Sequence, residues 1–449
     1  MLMDHTIVAI ATAHGIGSIS IVRLSGCEAY SIALKLSRRE KLTPRYVTLT
    51  PLYDGSIALI DEAIVLYFQN PKSFTGEDVV EFQCHGGMIV AQQVMQSCLS
   101  YGAVLAQPGE FSKRAFLNGR LDLTQAEAIA SLIEVKSDDA ARILARQMRG
   151  ELRGYVEKIR DALIEILAYS EVVIDYAEED LPPDVVEQII YKLHAIQEEL
   201  SKTIASSHRR SGLMQGYRVA IIGKPNVGKS SLLNALLDYE RAIVSDIAGT
   251  TRDTIEESVR IGTHLIRLVD TAGIRHANDE IERIGIERSI AAIEHADRVI
   301  AVFDSSHTME CEDEAIIALI EEYSPTKPFV CVLNKGDLPL HFPVEKVARY
   351  SPIFLSCKGD VNPLIEVLGR SMDHDNDSEE MMLISQRQIG AASEALCAID
   401  EAYQPLQSGE LELFSFHINQ AIRAIGAITR PYQLDEMFDK MFGQFCLGK

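Results

Sequence analysis

The sequence lacks the features typical of membrane proteins, of secreted proteins and of highly basic nucleic-acid-binding proteins. Its eight cysteines include no pair at C-x-x-C spacing, which argues against a zinc site or a disulfide framework and favours a reducing cytoplasm. No apolar run reaches the roughly 20 residues that a membrane helix needs, and no basic residue precedes the first apolar stretch, so no signal peptide is expected. Basic residues are also scarce. With 43 of them against 65 acidic residues, the net charge of −22 repels nucleic acid unless a local basic patch binds it.

Three sequence patterns follow one another along the 449 residues. Over residues 6–118, short β-branched runs alternate with Gly- and Pro-containing turns, which predicts an α+β domain. A helical pattern follows, and its apolar stripe from Met148 to Val173 predicts one long helix, which two later prolines end. Over residues 217–372, strands alternate with amphipathic helices, as in a parallel α/β sheet. Because helical texture returns afterwards, the α/β unit is expected to be inserted in a helical domain.

The strongest single signal is GKPNVGKS, from Gly223 to Ser230, between a predicted buried strand and an apolar helix. Its glycines let backbone N–H groups close around phosphate oxygens at the beginning of the helix. We expect Lys229 to reach the β- and γ-phosphates and the Ser230 hydroxyl to bind Mg²⁺. The strand–loop–helix context makes an ordinary tight turn the poorer explanation.

Further nucleotide motifs follow in the order that a GTPase requires. DTAG begins at Asp270, after a predicted strand, and places Gly273 where its N–H can sense the γ-phosphate. NKGD follows another strand, and the Asp337 carboxylate can accept both the ring N–H and the exocyclic amine of guanine, which selects GTP over ATP. FLSCK, ending at Lys358, supplies a loop over the base. Any one of these could be a solvated loop, but four in order favour a GTP site.

The residue that orients the attacking water is not the usual one. Many GTPases carry a glutamine directly after the Asp-x-x-Gly segment, whereas this chain has Ile274. The stretch SDIAGTTRD, beginning at Ser245, is rich in oxygen ligands suited to hard cations. Glu280 and Glu282 are the nearest acidic candidates, although a solvated helix face explains each of them equally simply.

Several stretches together resemble one family, the tRNA-modification GTPase MnmE family, also called TrmE. They are GKPNVGKSSLLNAL, DIAGTTRD, DTAGIR, IERIGIERS and the terminal CLGK. The N-terminal stretches ATAHGIGSISIVRLSG, SFTGEDVVEFQCHGG and PGEFSKRAFLNGRLDLTQAEA resemble that family's folate-binding domain. The match spans essentially the whole chain.

The resemblance implies a multidomain α+β and α/β fold with an inserted P-loop GTPase (Ras-like) domain. The expected domains are a tetrahydrofolate-binding-like domain over 1–119, a helical domain over 120–214 and 373–449, and the G domain over 215–372. It further implies a cytoplasmic homodimer that works with the FAD protein MnmG in a heterotetramer. Potassium-stimulated GTP hydrolysis would accompany addition of a carboxymethylaminomethyl-type group to carbon 5 of the wobble uridine of certain tRNAs. The one-carbon unit would come from 5-formyl- or methylene-tetrahydrofolate.

The family pattern also assigns residues to cofactors. It implies that Mg²⁺ is held by Ser230 and Thr251, and that Glu282 orients the catalytic water. The residues expected to hold K⁺ are Asn226, Ser245, Ile247 and Thr250. Those expected to hold folate are Arg23, Glu81, Arg120 (a position where the family commonly has lysine) and Lys449. The full set expected to bind GTP is Asn226, Val227, Gly228, Lys229, Ser230, Ser231, Ser245, Asp246, Ile247, Ala248, Gly249, Thr250, Thr251, Asp270, Thr271, Ala272, Gly273, Asn334, Lys335, Asp337, Ser356, Cys357 and Lys358.

Cys446, fourth from the end, has three explanations. A prenylation signal rarely ends in lysine, so that explanation is set aside. The nearby Lys449 favours a thiolate, and in the family this cysteine matters for the modification, so a catalytic role and simple packing both stay open. Cys331, in an apolar strand, is predicted to lie in a core. Basic residues that could contact RNA are Lys113, Arg114, Arg120, Arg142, Arg146, Arg149 and Arg153.

Two other functions compete with a GTP-driven tRNA-modifying enzyme. A regulatory switch of the ribosome-assembly type would hydrolyse GTP but would have no use for the folate-like N-terminus or for CLGK. A folate-dependent aminomethyl transferase with a vestigial G domain would not need the intact nucleotide motifs.

Overall fold

The computed structural model describes residues 5–13, 15–135, 137–175, 185–241, 257–262, 264–269, 282–373, 381–430, 442, 443, 445 and 448. The chain divides into two compact units. The first comprises residues 1–134, 144–197 and 390–449, and the second comprises residues 135–143 and 198–389. No described helix is both long and apolar enough to span a bilayer.

Twelve strands are described, six in each unit. They are β1 Ile7–Ile10, β2 Ile19–Ser25, β3 Thr48–Tyr53, β4 Leu59–Phe68, β5 Val79–His85, β6 Val104–Leu105, β7 Tyr217–Ile222, β8 Glu257–Ile261, β9 His264–Val269, β10 Arg298–Asp304, β11 Phe329–Asn334 and β12 Ile353–Phe354.

The described α-helices connect these strands or follow them. They are α1 Ala29–Ser37, α2 Met88–Ser100, α3 Glu110–Leu117, α4 Leu123–Glu134, α5 Asp138–Met148, α6 Glu151–Asp175, α7 Val185–Arg209, α8 Ser211–Gln215, α9 Lys229–Arg241, α10 Glu282–His295, α11 Cys311–Tyr323, α12 Asn362–Asp373, α13 Gln386–Ser408 and α14 Leu411–Gly426.

The first unit begins with a mixed sheet in the order β3-β4-β5-β2-β1-β6. Neighbouring strands of this sheet are antiparallel, except that β1 and β6 are parallel to each other. Buried and half-exposed residues alternate along β2, as expected for a strand with one face on a core. That core contains Val22 and Phe82 from the sheet, Ile32 from α1 and Val94 from α2. The prediction of an α+β N-terminal region is therefore confirmed.

The prediction of one long helix through Met148 is wrong. Helix α5 ends at Met148 and α6 begins at Glu151, because Gly150 takes a φ of 88°, which favours glycine and ends a helix. Within α6 the apolar stripe is buried as predicted, with Leu152, Val156 and Leu163 almost fully covered. Helix α6 packs against α14.

The second unit contains a sheet in the order β12-β11-β10-β7-β9-β8, parallel except for β8. Every residue of the central strand β10 is buried, as expected for a parallel sheet covered on both faces. Because the parallel strands end at one edge, the loops after β7, β10, β11 and β12 share that edge, where ligands bind in open α/β sheets.

Candidate functional site

The loop after β7 is shaped by two glycines that no other residue could replace. Gly223 has a φ of 150°, and a Cβ there would lie 2.4 Å from the carbonyl oxygen of Val302. Gly228 has a φ of 101°, and a Cβ there would lie 2.2 Å from Nδ2 of Asn334. Between them Asn226 takes a left-handed φ of 62°. The loop therefore follows a path that brings its backbone close to β10 and β11.

Lys229, the first residue of α9, crosses this loop. Its Nζ donates hydrogen bonds to the carbonyl oxygens of Gly223 and Lys224, both at 2.7 Å. Burial lowers the pKa of this half-buried amine from 10.5 to about 8. Among the described residues its partners are neutral carbonyls only, so the beginning of α9 presents a positive charge that an anion such as a phosphate would stabilise.

Asn334 joins three loops at the edge of the sheet. Its Nδ2 donates to the carbonyl oxygen of Val227 at 2.7 Å, and its Oδ1 accepts from the backbone N–H of Cys357 at 3.1 Å. The side chain is buried, with the residue only 3% exposed. The loops after β7, β11 and β12 are thus held together by one amide side chain, as the order of the sequence motifs led us to expect.

Lys335 and Asp337, which follow Asn334 in the NKGD motif, lie at the rim of the same site. Asp337 is exposed, and a hydrogen bond from the Ser356 side chain lowers the pKa of its carboxyl, so it is ionised and available to a ligand. Lys335 donates from Nζ to Oδ2 of Asp304 at 2.5 Å. Burial raises the pKa of Asp304, but hydrogen bonds from Lys335 and Ser306 outweigh burial and lower it from 3.8 to about 2.

Sequence reasoning missed the ion pairs that connect the loop after β7 to the beginning of α11. Lys224 donates from Nζ to Asp313 and to Glu310, both at 2.7 Å. The Lys224 and Asp313 side chains are 10% and 2% exposed. Asp313 also accepts from the backbone N–H of Glu310, in a capping box that begins α11. Neither the capping box nor its contact with a lysine 89 residues away was predicted from the sequence.

A second constellation lies on the N-terminal sheet. Arg23 and Glu81 are direct cross-strand partners in β2 and β5, and their side chains form an ion pair at 2.8 Å. Both are partly exposed, at 21% and 16%. The Arg23 guanidinium lies over the rings of Phe74 and Phe111, 5.7 and 5.8 Å from their centroids. Two of the residues predicted to bind folate are therefore adjacent, beside two aromatic rings.

Described residues near the C-terminus also lie in this region. The carbonyl oxygen of Gly448 accepts from Nη1 of Arg23 at 3.4 Å. Gly448 has a φ of 92°, and a Cβ there would lie 2.7 Å from the carbonyl oxygen of Ile10. Phe442 packs with Leu123 and Ala126. The backbone beside Cys446 and Lys449 is thus close to Arg23, although those two residues themselves lie outside the described part of the chain.

Arg120 reaches the same neighbourhood through a loop. Its Nε donates to the carbonyl oxygen of Ser73 at 3.1 Å, next to Phe74. A buried network that sequence reasoning missed holds this loop. Arg114, only 3% exposed, binds Glu77 and Glu110. Glu110 is four residues away on the same helix, but the burial of this arginine and its pairing with Glu77 were not visible in the local sequence.

Cys331 is fully buried, as predicted. Cys84 is also buried, which raises the pKa of its thiol to about 12. Among the residues that the structure describes, no three His, Cys, Asp or Glu side chains could together hold a metal ion. The residues that lie outside the described part of the chain are Ser245, Asp246, Ile247, Ala248, Gly249, Thr250, Thr251, Asp270, Thr271, Ala272, Gly273, Cys446, Lys449 and the side chain of Glu282.

Two family models match the chain. One, described as the MnmE helical domain, matches residues 123–446, and the other, described as the GTP-binding protein TrmE N-terminus, matches residues 6–120. The tRNA modification GTPase MnmE of Sulfurimonas denitrificans is 62% identical over 100% of both chains. The chain belongs to the tRNA modification GTPase MnmE family.

Further relatives agree with this membership. The tRNA modification GTPase MnmE of Sulfurovum sp. is 56% identical over 100% of this chain and 99% of its own. A solved structure of the elongation factor SelB from Methanococcus maripaludis covers 35% of this chain and 34% of its own, with 16% identity and a TM-score of 0.26, too low to bear on the fold. As a member of the MnmE family, the chain is a multidomain α+β protein, a GTPase involved in tRNA modification.

Proposed function

We propose that this MnmE-family chain works with an FAD-containing, MnmG-like protein in a heterotetramer. Together they add a carboxymethylaminomethyl-type group to carbon 5 of the wobble uridine of certain tRNAs. The observation that carries the proposal is that one chain has two separate constellations. Asn334 and Lys229 organise a phosphate-binding edge, and Arg23 and Glu81 form an acid–base pair beside aromatic rings. A GTPase that served only as a switch would need the first alone.

At the nucleotide edge the proposed roles follow from charge and position. Lys229 pairs with the β- and γ-phosphates, because its positive charge is held at the beginning of α9. The exposed, ionised Asp337 accepts from guanine. Ser230 and Thr251 would hold Mg²⁺. K⁺ would be held by Asn226, Ser245, Ile247 and Thr250, and Glu282 would orient the attacking water. The two cations would supply positive charge to the transferring phosphoryl group.

The remaining nucleotide contacts come from the loops that these residues anchor. They are the loop from Val227 to Ser231, the loop from Ser245 to Thr251, the segment from Asp270 to Gly273, Asn334 and Lys335, and the loop from Ser356 to Lys358.

The Arg23–Glu81 pair fits a tetrahydrofolate. Glu81 can accept hydrogen bonds from the N–H edge of a pterin, and the partly exposed aromatic ring of Phe74 offers apolar contact. Basic groups suit the carboxylates of a folate glutamate tail, a role proposed for Arg120 and Lys449. The folate would carry the one-carbon unit as its 5-formyl or methylene derivative. Cys446 would act near this site, because the carbonyl oxygen of Gly448 is bonded to Arg23.

The proposed domain arrangement is a folate-binding domain over 1–119, a helical domain over 120–214 and 373–449, and an inserted Ras-like G domain over 215–372. Two G domains would meet in a cytoplasmic homodimer and order the potassium-binding loop. This accounts for hydrolysis without a glutamine after the Asp-x-x-Gly segment, where the chain has Ile274.

The modification is tested by deleting the gene in its host and analysing tRNA nucleosides by mass spectrometry. We expect wobble uridines without the group, restored by the wild-type gene and not by a Lys229→Ala allele. A normal nucleoside profile in the deletion strain would refute the proposal.

The cation requirement is tested separately. GTP turnover by the purified chain is compared in potassium and sodium buffers of equal ionic strength. We expect faster turnover in potassium, and equal rates would remove potassium from the mechanism while leaving the modification untouched.

A further inference from the structure

A cluster of unpaired positive charges lies on the N-terminal sheet, in a chain whose net charge is −22. Residues 35–45 hold five basic residues and one acidic residue. We call the following set the cationic edge: Lys35, Arg38, Arg39, Lys41, Arg45 and Lys72. All six are exposed, and none is paired with a carboxylate among the residues that the structure describes. So local an excess of one sign attracts a polyanion.

Contacts with the sheet place two of these charges along its outer strand, β3. The Arg38 guanidinium lies 4.7 Å from the ring centroid of Tyr53. Arg39 donates from Nη2 to the carbonyl oxygen of Leu49 at 3.4 Å. Since Leu49 and Tyr53 are four residues apart in a strand, their Cα atoms lie about 13 Å apart. The arginines therefore form a row, not a point charge.

The row continues onto the neighbouring strand. Arg45 donates from Nη2 to the carbonyl oxygen of Lys72 at 2.7 Å, and its guanidinium lies 6.0 Å from the ring centroid of Phe68. Phe68 ends β4, whose residue Val65 pairs with Thr48 at the beginning of β3. Arg45 and Lys72 thus extend the cationic edge beyond the amino end of β3.

An exposed aromatic residue adjoins these charges in the sequence. Tyr46 follows Arg45 directly and is 66% exposed. An exposed aromatic side chain beside arginines is the combination with which proteins stack an unpaired base and hold the adjoining phosphates. Negatively charged proteins or lipids would use the cations but would have no need of the ring.

Four of the seven basic residues that sequence reasoning offered for RNA are less suitable. Arg114 is buried between Glu77 and Glu110. Three others have acidic partners nearby, in the pairs Arg142–Asp139 within α5, Arg146–Glu151 between α5 and α6, and Arg153–Glu157 within α6. A second copy of the chain would not bind well to the cationic edge, because a two-fold symmetric contact would bring the same positive charges of the two copies together.

We propose that the cationic edge binds the backbone of the tRNA substrate and that Tyr46 stacks on one of its unpaired bases. This rests on the proposed function only in that tRNA is the substrate. The test uses the full-length chain and an unmodified tRNA transcript, with binding followed by fluorescence anisotropy between 50 and about 300 mM KCl. The main variant combines Lys35→Gln, Arg39→Gln, Lys41→Gln and Lys72→Gln.

The expected result has two parts. The fourfold variant should bind the transcript on the order of 100-fold more weakly at low salt, and its plot of log affinity against log salt should be shallower by about one unit for each phosphate that is no longer neutralised. Tyr46→Ala should lose about tenfold in affinity with an unchanged salt slope, because stacking involves no counterion release. Unchanged GTP turnover and circular dichroism show that each variant is folded.

A control variant removes four positive charges from exposed positions elsewhere, by Lys158→Gln, Arg160→Gln, Lys346→Gln and Arg370→Gln. An equal loss in this control, or unchanged affinity and slope in the main variant, would overturn the proposal. So would a change in oligomeric state of the main variant in sedimentation velocity, since the edge would then be a contact between copies. If the wild-type chain itself failed to bind the transcript, the proposed function would fail as well.

Discussion

Asn334 bonds the carbonyl oxygen of Val227 at 2.7 Å, although the two residues are 107 positions apart. The same side chain accepts the backbone N–H of Cys357. One buried amide therefore sets the distance between the loop that follows β7 and the loop that follows β12. Nucleotide affinity should depend on this amide even where the nucleotide does not touch it.

Replacing Asn334 by alanine should weaken GTP binding. Two buried hydrogen bonds at about 1 kcal/mol each correspond to roughly 30-fold in the dissociation constant. The constant can be measured by titration with a fluorescent GTP analogue. Asn362→Ala, at an exposed asparagine that begins α12, is the control and should bind as the wild type does. Equal affinity of the two variants would mean that the loops hold their positions without the amide.

The titration of Lys229 should make GTP binding pH-dependent. Since burial lowers the pKa of this amine from 10.5 to about 8, the free protein loses the positive charge as the pH rises above 8. The bound phosphates favour the charged form, so binding above pH 8 takes up a proton. The dissociation constant should then rise by up to about tenfold per pH unit.

Isothermal titration calorimetry at pH 9, in buffers of different ionisation enthalpy, measures this proton directly. We expect uptake of close to one proton by the wild-type chain and none by Lys229→Ala. Binding without proton uptake at pH 9 would show that the amine is already charged before GTP arrives.

The Asp304–Lys335 pair should stabilise the fold except in acid. The pKa of Asp304 is depressed from 3.8 to about 2, so its contribution is present above pH 4 and is lost as the pH falls from about 4 to 2. The depression corresponds to on the order of 2 kcal/mol. Asp304→Asn should lose this amount at pH 7 in urea unfolding followed by circular dichroism, and the difference from wild type should shrink by pH 3. Asp360→Asn, at an exposed site, should show no such difference, and a deficit independent of pH would disprove the assignment.

Glu81→Gln should weaken folate binding. The substitution keeps the shape of the side chain but removes the charge that pairs with Arg23 and would accept the pterin N–H groups. A charge-assisted hydrogen bond of about 1.5–3 kcal/mol predicts a loss of roughly 10- to 100-fold in affinity for 5-formyl-tetrahydrofolate, measured by calorimetry. His85→Gln, at the exposed end of the same strand β5, serves as control. If Glu81→Gln binds 5-formyl-tetrahydrofolate as tightly as the wild type does, the pterin does not bind at Glu81.

The arrangement of the nucleotide edge was predictable because its signals are local. Each motif directly follows a run of apolar residues, and parallel strands end at a common edge, so Lys229, Asn334 and Asp337 had to come near one another. Arg23 and Glu81 were adjacent for a different reason. They were predicted through a family resemblance, and their pairing across β2 and β5 depends on a register that the apolar pattern alone does not specify.

What the sequence could not reveal depends on contacts between distant segments. The apolar stripe from Met148 to Leu152 keeps helical spacing through the break at Gly150, so periodicity gave no sign of two helices. Arg114 looked like a surface charge until the fold brought Glu77 to it. The pairing of Asp313 with Lys224 likewise depends on the tertiary structure, because 89 residues separate the two side chains in the sequence.

Gly228 provides the sharpest test of the loop geometry. An alanine there would place its Cβ 2.2 Å from Nδ2 of Asn334, at a φ of 101° that L residues rarely adopt. Displacing this amide breaks its hydrogen bonds to Val227 and Cys357, so Gly228→Ala should weaken GTP binding by more than Asn334→Ala does. Gly154→Ala is the matched control, because a Cβ at that position in α6 meets nothing within 4 Å. It should leave GTP binding unchanged and should stabilise the helix by about 1 kcal/mol. If the double variant with Asn334→Ala binds GTP better than Gly228→Ala alone, the clash with the amide is the cause. If it binds no better, the backbone conformation of residue 228 accounts for the loss.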